Sequence, residues 1–365
     1  MRSWVEVSRS RIRENYRAVR ALVSGAADIM PVVKADAYRH GAIEVSRILE
    51  SEDVKWLAVS NVEEGVALRQ GGITARILVM ADFLPEERDA LDKFQLTPVV
   101  HSLDDVRDAR VPYHLKIDSG MGRLGTRAEP EEIVRRVAAA NAPLEGLMTH
   151  FASSANYLSP QTDEQIARFE RVLAAFRAAG MEPRYVHLSS SIPLAYRRVE
   201  AWGNLVRPGY AIYGYVSPAL GDAPAPALRV SPALTWKATV LAVKDLEAGA
   251  LIGYGGMHRA AKAMRIAILA AGYADGIPHR LSNRGKVIAK GKLVPVIGAV
   301  SMDLTTIDAS TCPDLRAGDA VTLLGSEGGV SGVSIDAQQI ARWAGTISYS
   351  VLCGIHARVK RVYVD

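Results

Sequence analysis

Apolar and polar positions in the first two thirds of the chain follow one recurring unit: a short run of β-branched or apolar residues, a polar residue, then an amphipathic stretch with helical spacing. About eight such units fit before residue 215. Their strands are predicted at 29–33, 56–59, 76–80, 96–100, 113–117, 144–149, 185–188 and 204–206. One helix is well marked: Ser159 and Pro160 supply an N-cap and first-turn pair, Ile166, Phe169, Leu173 and Phe176 share a face, and Gly180 closes it. Strands alternating with helices imply a parallel sheet, and eight in so short a span fit a closed (β/α)8 (TIM) barrel better than an open doubly wound sheet. The polar residues at the strand ends are Lys34, Asn61, Asp82, His101, Asp118, His150, Ser189 and Arg207. Those ends are where a barrel of this kind builds its active site.

The pattern changes between Pro218 and Pro232, where four of the 17 prolines gather around Gly221 and Asp222. Beyond that boundary, strands are predicted at 236–243, 265–269 and 321–324, with a turn at Lys290 and Gly291, and helical periodicity survives mainly from 335 to 343. The chain therefore divides into a barrel over 1–228 and a mainly β domain over 229–365.

Composition narrows the class without naming a partner. Lys plus Arg at 44 against Asp plus Glu at 39 leaves +5, and the densest basic stretch (Arg9, Arg11, Arg13, Arg17, Arg20) is interleaved with apolar residues as one solvated helix face. Aromatics are only 6%, too few for a stacking nucleic-acid surface. Cys312 and Cys353 are the two cysteines, with no CxxC and no His pair at ligand spacing, so neither a disulfide framework nor a metal site is expected. No apolar run has signal-peptide or membrane-span character, and a cytoplasmic protein without membrane partners is expected.

Two features carry candidate chemistry. Gly120, Gly122 and Gly125 spell GxGxxG after a predicted strand. The helix signal, however, starts only near Pro130, and the next strand ends in Thr149 and His150 rather than an acidic residue, so the dinucleotide fingerprint is incomplete. Lys34 follows the apolar Pro31, Val32 and Val33 at the mouth of the first strand. Desolvation there disfavours the ammonium and readies the amine for imine formation with a carbonyl, although a solvated ion-pair lysine has the same local pattern.

Around Lys34 the segment VVKADAYRHG (32–41) resembles the pyridoxal phosphate lysine motif of bacterial alanine racemases. HLKIDSGMGRLG (114–125), THFASS (149–154), VRPGYAIYG (206–214), IGYGG (252–256), GYADGIPHR (272–280), SMD (301–303) and the Tyr349 region have family counterparts in the same order, so the resemblance spans both domains. It implies that Lys34 binds pyridoxal 5'-phosphate and then serves as one acid/base group at the substrate Cα. Tyr254 is implied as the second base, on the opposite face and donated by the other subunit of a homodimer. Inversion at carbon needs a proton removed from one face and returned from the other, which two such groups provide. Arg207 is implied to face the pyridine nitrogen. A guanidinium keeps its proton, so that nitrogen stays unprotonated and the ring is a weaker electron sink, discouraging transamination.

The resemblance further implies that His150 links Arg207 to the tyrosine base, and that Tyr38, Ser191, Tyr349 and the amides of Gly209 and Tyr210 hold the phosphate. Arg123 and the Met302 amide would bind the substrate carboxylate. Asp303 would support the Met302 loop, Lys116 would orient Arg123 as a carbamate, and Tyr273 would gate the entrance. Arg39, Ser190, Ala299 and Ser301 depart from the residues usual there (Gly, Asn, Arg and Cys). The implied activity is interconversion of L- and D-alanine, supplying D-alanine for peptidoglycan. A racemase of broader specificity toward serine, lysine or arginine remains open, as does a decarboxylase on the same barrel, which would not need Tyr254 opposite Lys34.

Overall fold

The computed structural model of the chain describes residues 1–81, 83–328 and 332–365, so Asp82, read above as a strand-end residue, lies outside the described residues. Two compact units are present: Ser10–Ala37 with Ala42–Ser231, and Met1–Arg9 with Tyr38–Gly41 and Pro232–Asp365.

The chain opens with β1 (Ser3–Ser8) and the helix Arg9–Val23, which buries Ile12, Tyr16, Val19 and Val23 while its arginines stay at least partly exposed. The first unit then contributes β2 (Asp28–Ile29), β3 (Trp56–Val59), β4 (Arg76–Val79), β5 (Leu96–Val100), β6 (Tyr113–Lys116), β7 (Leu144–Met148), β8 (Tyr185–His187) and β9 (Leu205–Val206). β3 to β8 form a parallel sheet in chain order, and β2 pairs with β9. Residues just beyond these short strands close the ring. Val33 N–H donates to Ala58 O at 2.8 Å and Ala58 N–H to Pro31 O at 2.9 Å, while Asn204 N–H donates to Val186 O at 2.9 Å and Arg207 N–H to Ser189 O at 3.1 Å. The expected parallel barrel is thus present.

A closed parallel ring buries both faces of its strands, which is why they read as apolar runs rather than alternations. β3, β5 and β6 are buried at every residue. Met30, Trp56, Leu78, Val99, Met148 and Leu205 form one cluster. Leu115 and Leu147 join another with Ile133 of the helix Pro130–Ala138 and Phe169 and Phe176 of the helix Gln161–Ala178. Because side chains alternate along a strand, Leu115 on the helix side puts His114 and Lys116 on the other. In the long helix Pro160 occupies the cap position itself, and Ser159 Oγ accepts the Gln161 N–H at 3.3 Å, one residue later than predicted.

Directly after Lys34 the backbone takes a course that hydrophobic spacing does not announce. Ala35, Asp36, Ala37, Tyr38 and Arg39 all have φ between +52° and +66°, so the helical turn Lys34–Arg39 coils left-handed. Left-handed helical geometry costs non-glycine residues roughly 1–2 kcal/mol each, so this turn needs support from outside it. Glu64 supplies part of it, accepting the Ala35 N–H at 2.6 Å and the Ser60 N–H at 2.7 Å, and Asp36 accepts the Ala42 N–H at 2.8 Å.

The second unit is mainly β, as expected. Its strands are β10 (Leu234–Leu246), β11 (Leu251–Ile252), β12 (His258–Arg259), β13 (Met264–Leu269), β14 (Lys286–Ala289), β15 (Lys292–Pro295), β16 (Thr305–Asp308), β17 (Ala320–Glu327), β18 (Val333–Ile335) and β19 (Lys360–Val364). The nine-stranded sheet runs β15-β14-β17-β10-β1-β19, with β13 on β10, β16 on β13 and β18 on β17. β1 lies between β10 and β19, so the first residues belong to this unit and not to a barrel beginning at residue 1. Val5 and Val7 bury one side of β1, but the strand β10 that it pairs with is more than 200 residues away in sequence, so local pattern could not show the pairing.

The glycine loop after β6 is explained by an anion of the chain itself. Asp118 Oδ1 accepts the N–H groups of Gly120 (3.1 Å), Met121 (2.9 Å) and Gly122 (3.0 Å), and Oδ2 accepts Arg127 Nε at 2.7 Å. Gly125, at φ +120°, has no room for a Cβ, which would lie 2.6 Å from the Asp118 nitrogen. The amides that a dinucleotide would claim are already taken, so GxGxxG here is a carboxylate-capped loop. Burial alone would raise the Asp118 carboxyl, but Arg127 and the glycine amides outweigh it and hold it below the ordinary value. A carboxyl so held stabilises the fold while ionised and loses that contribution as pH falls through its folded pKa. Asp118→Asn should therefore destabilise the protein at pH 7, by about 1–3 kcal/mol. The gap in thermal midpoint from the parent should narrow below about pH 4, the ordinary range of an aspartate. A gap unchanged from pH 7 to pH 3 would show that charge plays no part.

Candidate active site

Four cations converge on the C-terminal ends of the barrel strands. Lys34 follows β2, Lys116 ends β6, Arg123 lies in the loop after β6, and Arg207 follows β9. All four act electrostatically on His150, two residues beyond β7. Burial first, then the charges of Arg207, Lys116, Arg123 and Lys34, push that imidazole down to about 3, so it is neutral at physiological pH. Lys116 is 5% exposed. Burial and the neighbouring Arg123 and Arg207 draw its amine down to about 8, against the opposing pull of Asp118. His101, at the end of β5, is drawn down to about 4 by burial and by Lys116.

Arg207 is 2% exposed. Its Nη1 donates to His187 O (2.7 Å) and His187 Nδ1 (3.0 Å), and its Nη2 to Thr149 O (2.7 Å) and Leu188 O (3.1 Å). A guanidinium has five N–H donors, so among the described residues only the one on Nε lacks an acceptor. Burial draws the group down to about 9, still protonated at neutrality, and no carboxylate among the described residues pairs with it. His187, which sequence reading passed over as a strand residue, is thus a direct hydrogen-bond partner of Arg207.

This donor set fits pyridoxal phosphate. Lys34 offers a primary amine at a strand end, and Arg207 offers a single remaining N–H to a ring nitrogen that has a lone pair. Ser191, 6% exposed, opens the helix Ser191–Ala195, and its Oγ accepts the N–H groups of Gly209 (3.0 Å) and Ala211 (3.1 Å), leaving its own O–H as a donor. The Gly209 amide, expected to face a phosphate, is thus directed at Ser191. Tyr210 is buried and stacks on Tyr215 at 4.9 Å between centroids.

The second unit holds the remaining expected residues. The rings of Tyr38 and Tyr349 lie 6.1 Å apart, bringing together two residues distant in sequence. Tyr254 sits in the turn Tyr254–Gly256 and is 77% exposed. The Tyr273 N–H donates to Ser301 O (2.9 Å) and the Ala274 N–H to Met302 O (3.0 Å), so the Tyr273 and Met302 loops are one structure. Arg358 clamps it: Nε donates to Asp275 Oδ1 (2.7 Å) and Nη2 to Asp303 Oδ1 (2.8 Å), while Asp275 Oδ2 accepts the Gly272 N–H (2.8 Å). Asp303 is thus tied through Arg358 to Asp275. Arg358 and Asp275 were not singled out, although Asp275 stands inside the GYADG segment.

Three departures have local accounts. Arg39 Nε donates to Cys353 O at 3.2 Å. Ser301 Oγ donates to Leu304 O (2.9 Å) and accepts its N–H (3.2 Å), closing the Met302 turn on itself. Ser190 is the N-cap of its helix without a side-chain capping bond. Nothing in the structure explains Ala299.

Comparison with known proteins agrees with this geometry. Residues 7–218 match the family model described as alanine racemase, N-terminal domain, and residues 233–363 match the C-terminal domain. A relative named alanine racemase from Carboxydothermus hydrogenoformans is 40% identical over 372 residues, covering 99% of each chain. The solved alanine racemase from Clostridium difficile 630 superposes with a TM-score of 0.91 at 33% identity, over 100% of this chain and 96% of that one. The alanine racemase from Bacillus anthracis, solved with bound L-Ala-P, gives 0.89 at 30% identity over 100% and 95%. With both domains matched and full-length relatives at this identity, the chain belongs to the alanine racemase family.

Proposed function

We propose that this chain interconverts L- and D-alanine with pyridoxal 5'-phosphate bound through Lys34, working in the cytoplasm as a homodimer that supplies D-alanine for peptidoglycan. The observation that carries this reading is the barrel mouth, where Lys34, Lys116, Arg123 and Arg207 gather. Asp118, the carboxylate that acts on Lys116, is committed to Arg127 and the glycine loop. Such a field suits two anionic groups, a phosphate and an amino-acid carboxylate.

The barrel unit would bind the cofactor and the β unit would contribute the second base. When bound, the cofactor supplies an electron sink that makes the substrate Cα–H acidic. The protein's own tasks are then to bind, orient and move protons. Lys34 Nζ and Tyr254 Oη act on opposite faces of Cα, one taking a proton while the other gives one. Arg207 donates its Nε–H toward the ring nitrogen without surrendering the proton. Ser191, Tyr38, Tyr349 and the turn at Gly209 and Tyr210 receive the phosphate. Arg123 and the Met302 amide take the substrate carboxylate, and neutral His150 lies beside Arg207 where it can pass a hydrogen bond toward the phenol. Lys116, with its amine held near 8, is partly unprotonated at neutral pH, the form that adds carbon dioxide to become a carbamate. Tyr273 lines the entrance on the loop that Asp303 braces.

Tyr254, Met257, Tyr273, Met302 and Leu304 are all exposed on the β unit, between 37% and 77%. Exposed apolar residues of this number in a few joined loops suit a partner surface, and the partner we assign is a second copy of the chain. Among the described residues no helix is long and apolar enough to cross a membrane, and no cluster of metal-ligand type is present.

The purified protein should convert L-alanine to D-alanine toward an equal mixture and show a visible absorption band that borohydride abolishes. Racemisation assayed in parallel on alanine, serine, lysine and arginine should be fastest with alanine. Tyr254→Phe should lower kcat by about 10²–10⁴-fold in the direction that begins with proton removal by the phenol, while the absorption band persists. Normal turnover of both enantiomers by that variant would remove Tyr254 from the mechanism. Sedimentation should give twice the 39.4 kDa chain mass. A monomer active at every concentration would contradict the shared site.

A further inference from the structure

Below Arg207 the barrel interior contains a line of polar groups that no role above uses. Arg207 Nη1 meets His187 Nδ1 at 3.0 Å, and His187 Nε2 meets His114 Nδ1 at 2.7 Å. His114 Nε2 lies 3.9 Å from Glu145 Oε2. The Glu145 carboxylate is in turn gripped by both terminal nitrogens of Arg76 at 2.6 Å each. Both histidines are 0% exposed. Arg207 follows the last residue of β9, whereas Arg76 opens β4 and Glu145 is the second residue of β7, so the line runs from one end of the barrel to the other.

The direction of every hydrogen bond in this line is fixed by elementary chemistry. A guanidinium can only donate, so His187 Nδ1 is an acceptor and its ring proton is on Nε2. That proton points at His114 Nδ1, which must accept, so the His114 proton is on its own Nε2 and aims at Glu145. Burial, with the charges of Arg76 and Arg207, pushes His114 down to about 3, and His187 is also pushed well below its ordinary value, so both rings are neutral. Two neutral imidazoles then present their acceptor ends to the buried cation and their donor ends to the carboxylate. A buried cation without a direct counter-ion is costly, and aligned dipoles leading to an anion offset part of that cost.

The packing is built around this arrangement. Trp56 lies edge-on to the His114 ring at 5.6 Å and Tyr185 stacks on it at 5.8 Å, while Arg76 covers Trp56 at 3.9 Å. Residue 146 must be glycine here, because a Cβ would come within 2.7 Å of His114 Nδ1.

We propose that His187, His114 and Glu145 are positioning residues of the active site, a relay through the barrel that fixes Arg207 as a charged donor and keeps its Nε–H for the ligand. This rests on Arg207 facing the cofactor ring. The last link, at 3.9 Å, is a charge–dipole contact rather than a hydrogen bond. Arg76 competes for the same carboxylate, so it should weaken the polarisation of the His114 N–H.

The test uses Glu145→Gln and Arg76→Gln, both outside the sealed core, with Glu145 at 12% and Arg76 at 42% side-chain exposure. The full-length holoenzyme is labelled with ¹⁵N in histidine and arginine. The relay predicts that His114 and His187 both appear as neutral Nε2–H tautomers. Glu145→Gln should shift the His114 and His187 ring nitrogens and the Arg207 Nε in one direction, and Arg76→Gln should shift them in the other. Resonances of His187 and Arg207 that stay in place in both variants would overturn the relay and leave the histidines as core filling, as would an Nδ1–H tautomer at either ring. The visible absorption maximum is read on the same samples. If the ¹⁵N shifts propagate to Arg207 while the absorption band stays fixed, the relay stands and the placement of Arg207 at the cofactor ring falls.

Discussion

A guanidinium sealed inside a barrel is the constraint to which the rest of the site answers. Arg207 is nearly inaccessible and has no carboxylate beside it. Removing such a charge from water costs several kcal/mol, even after relaxation. Hydrogen bonds to a charged group return about 1.5–3 kcal/mol each, so the four acceptors around Arg207 are of the size required. Those acceptors are three strand-end carbonyls and one imidazole, which means that the ends of β7 and β8 must come together before Arg207 can be buried. In this way the barrel's closure and the polarity of its mouth become one problem.

The same accounting explains why the surrounding groups are neutral or poised rather than fully charged. Burial first, and then the surrounding cations, keep His150 and His101 neutral at physiological pH, and Lys116 holds its own proton only weakly. A site of this kind keeps strong donors toward an anionic ligand while offering unprotonated bases within reach. The β unit complements it with different physics. Its loops carry exposed aromatic and thioether side chains, and their geometry is held by the Arg358 bridge to Asp275 and Asp303 rather than by burial.

Much of this was legible from residue order. The eight barrel strands follow from apolar runs separated by helical spacing, because burial of both faces leaves that imprint locally. Lys34 and Arg207 stood out as strand-end residues within motifs, and Ser191 through the family resemblance. Less legible were the features whose partners lie far along the chain. Asp118 turns a glycine-rich string into a capped loop, and only the bonds it accepts distinguish that loop from a phosphate cradle. His187 and His114 sit in strands 73 residues apart and read as ordinary strand residues until the ring brings their nitrogens to 2.7 Å.

By itself the sequence determined the succession of elements, the barrel followed by a β unit, the lysine at the first strand end and the family likeness, since all of these are written in short-range pattern and motif. The tertiary structure alone decided that β1 joins the C-terminal sheet, that the turn after Lys34 coils left-handed against its own intrinsic preference, and that His187 receives Arg207. The physical reason is common to all three: each depends on which distant groups satisfy a backbone or buried polar atom, and spacing along a chain does not encode that choice.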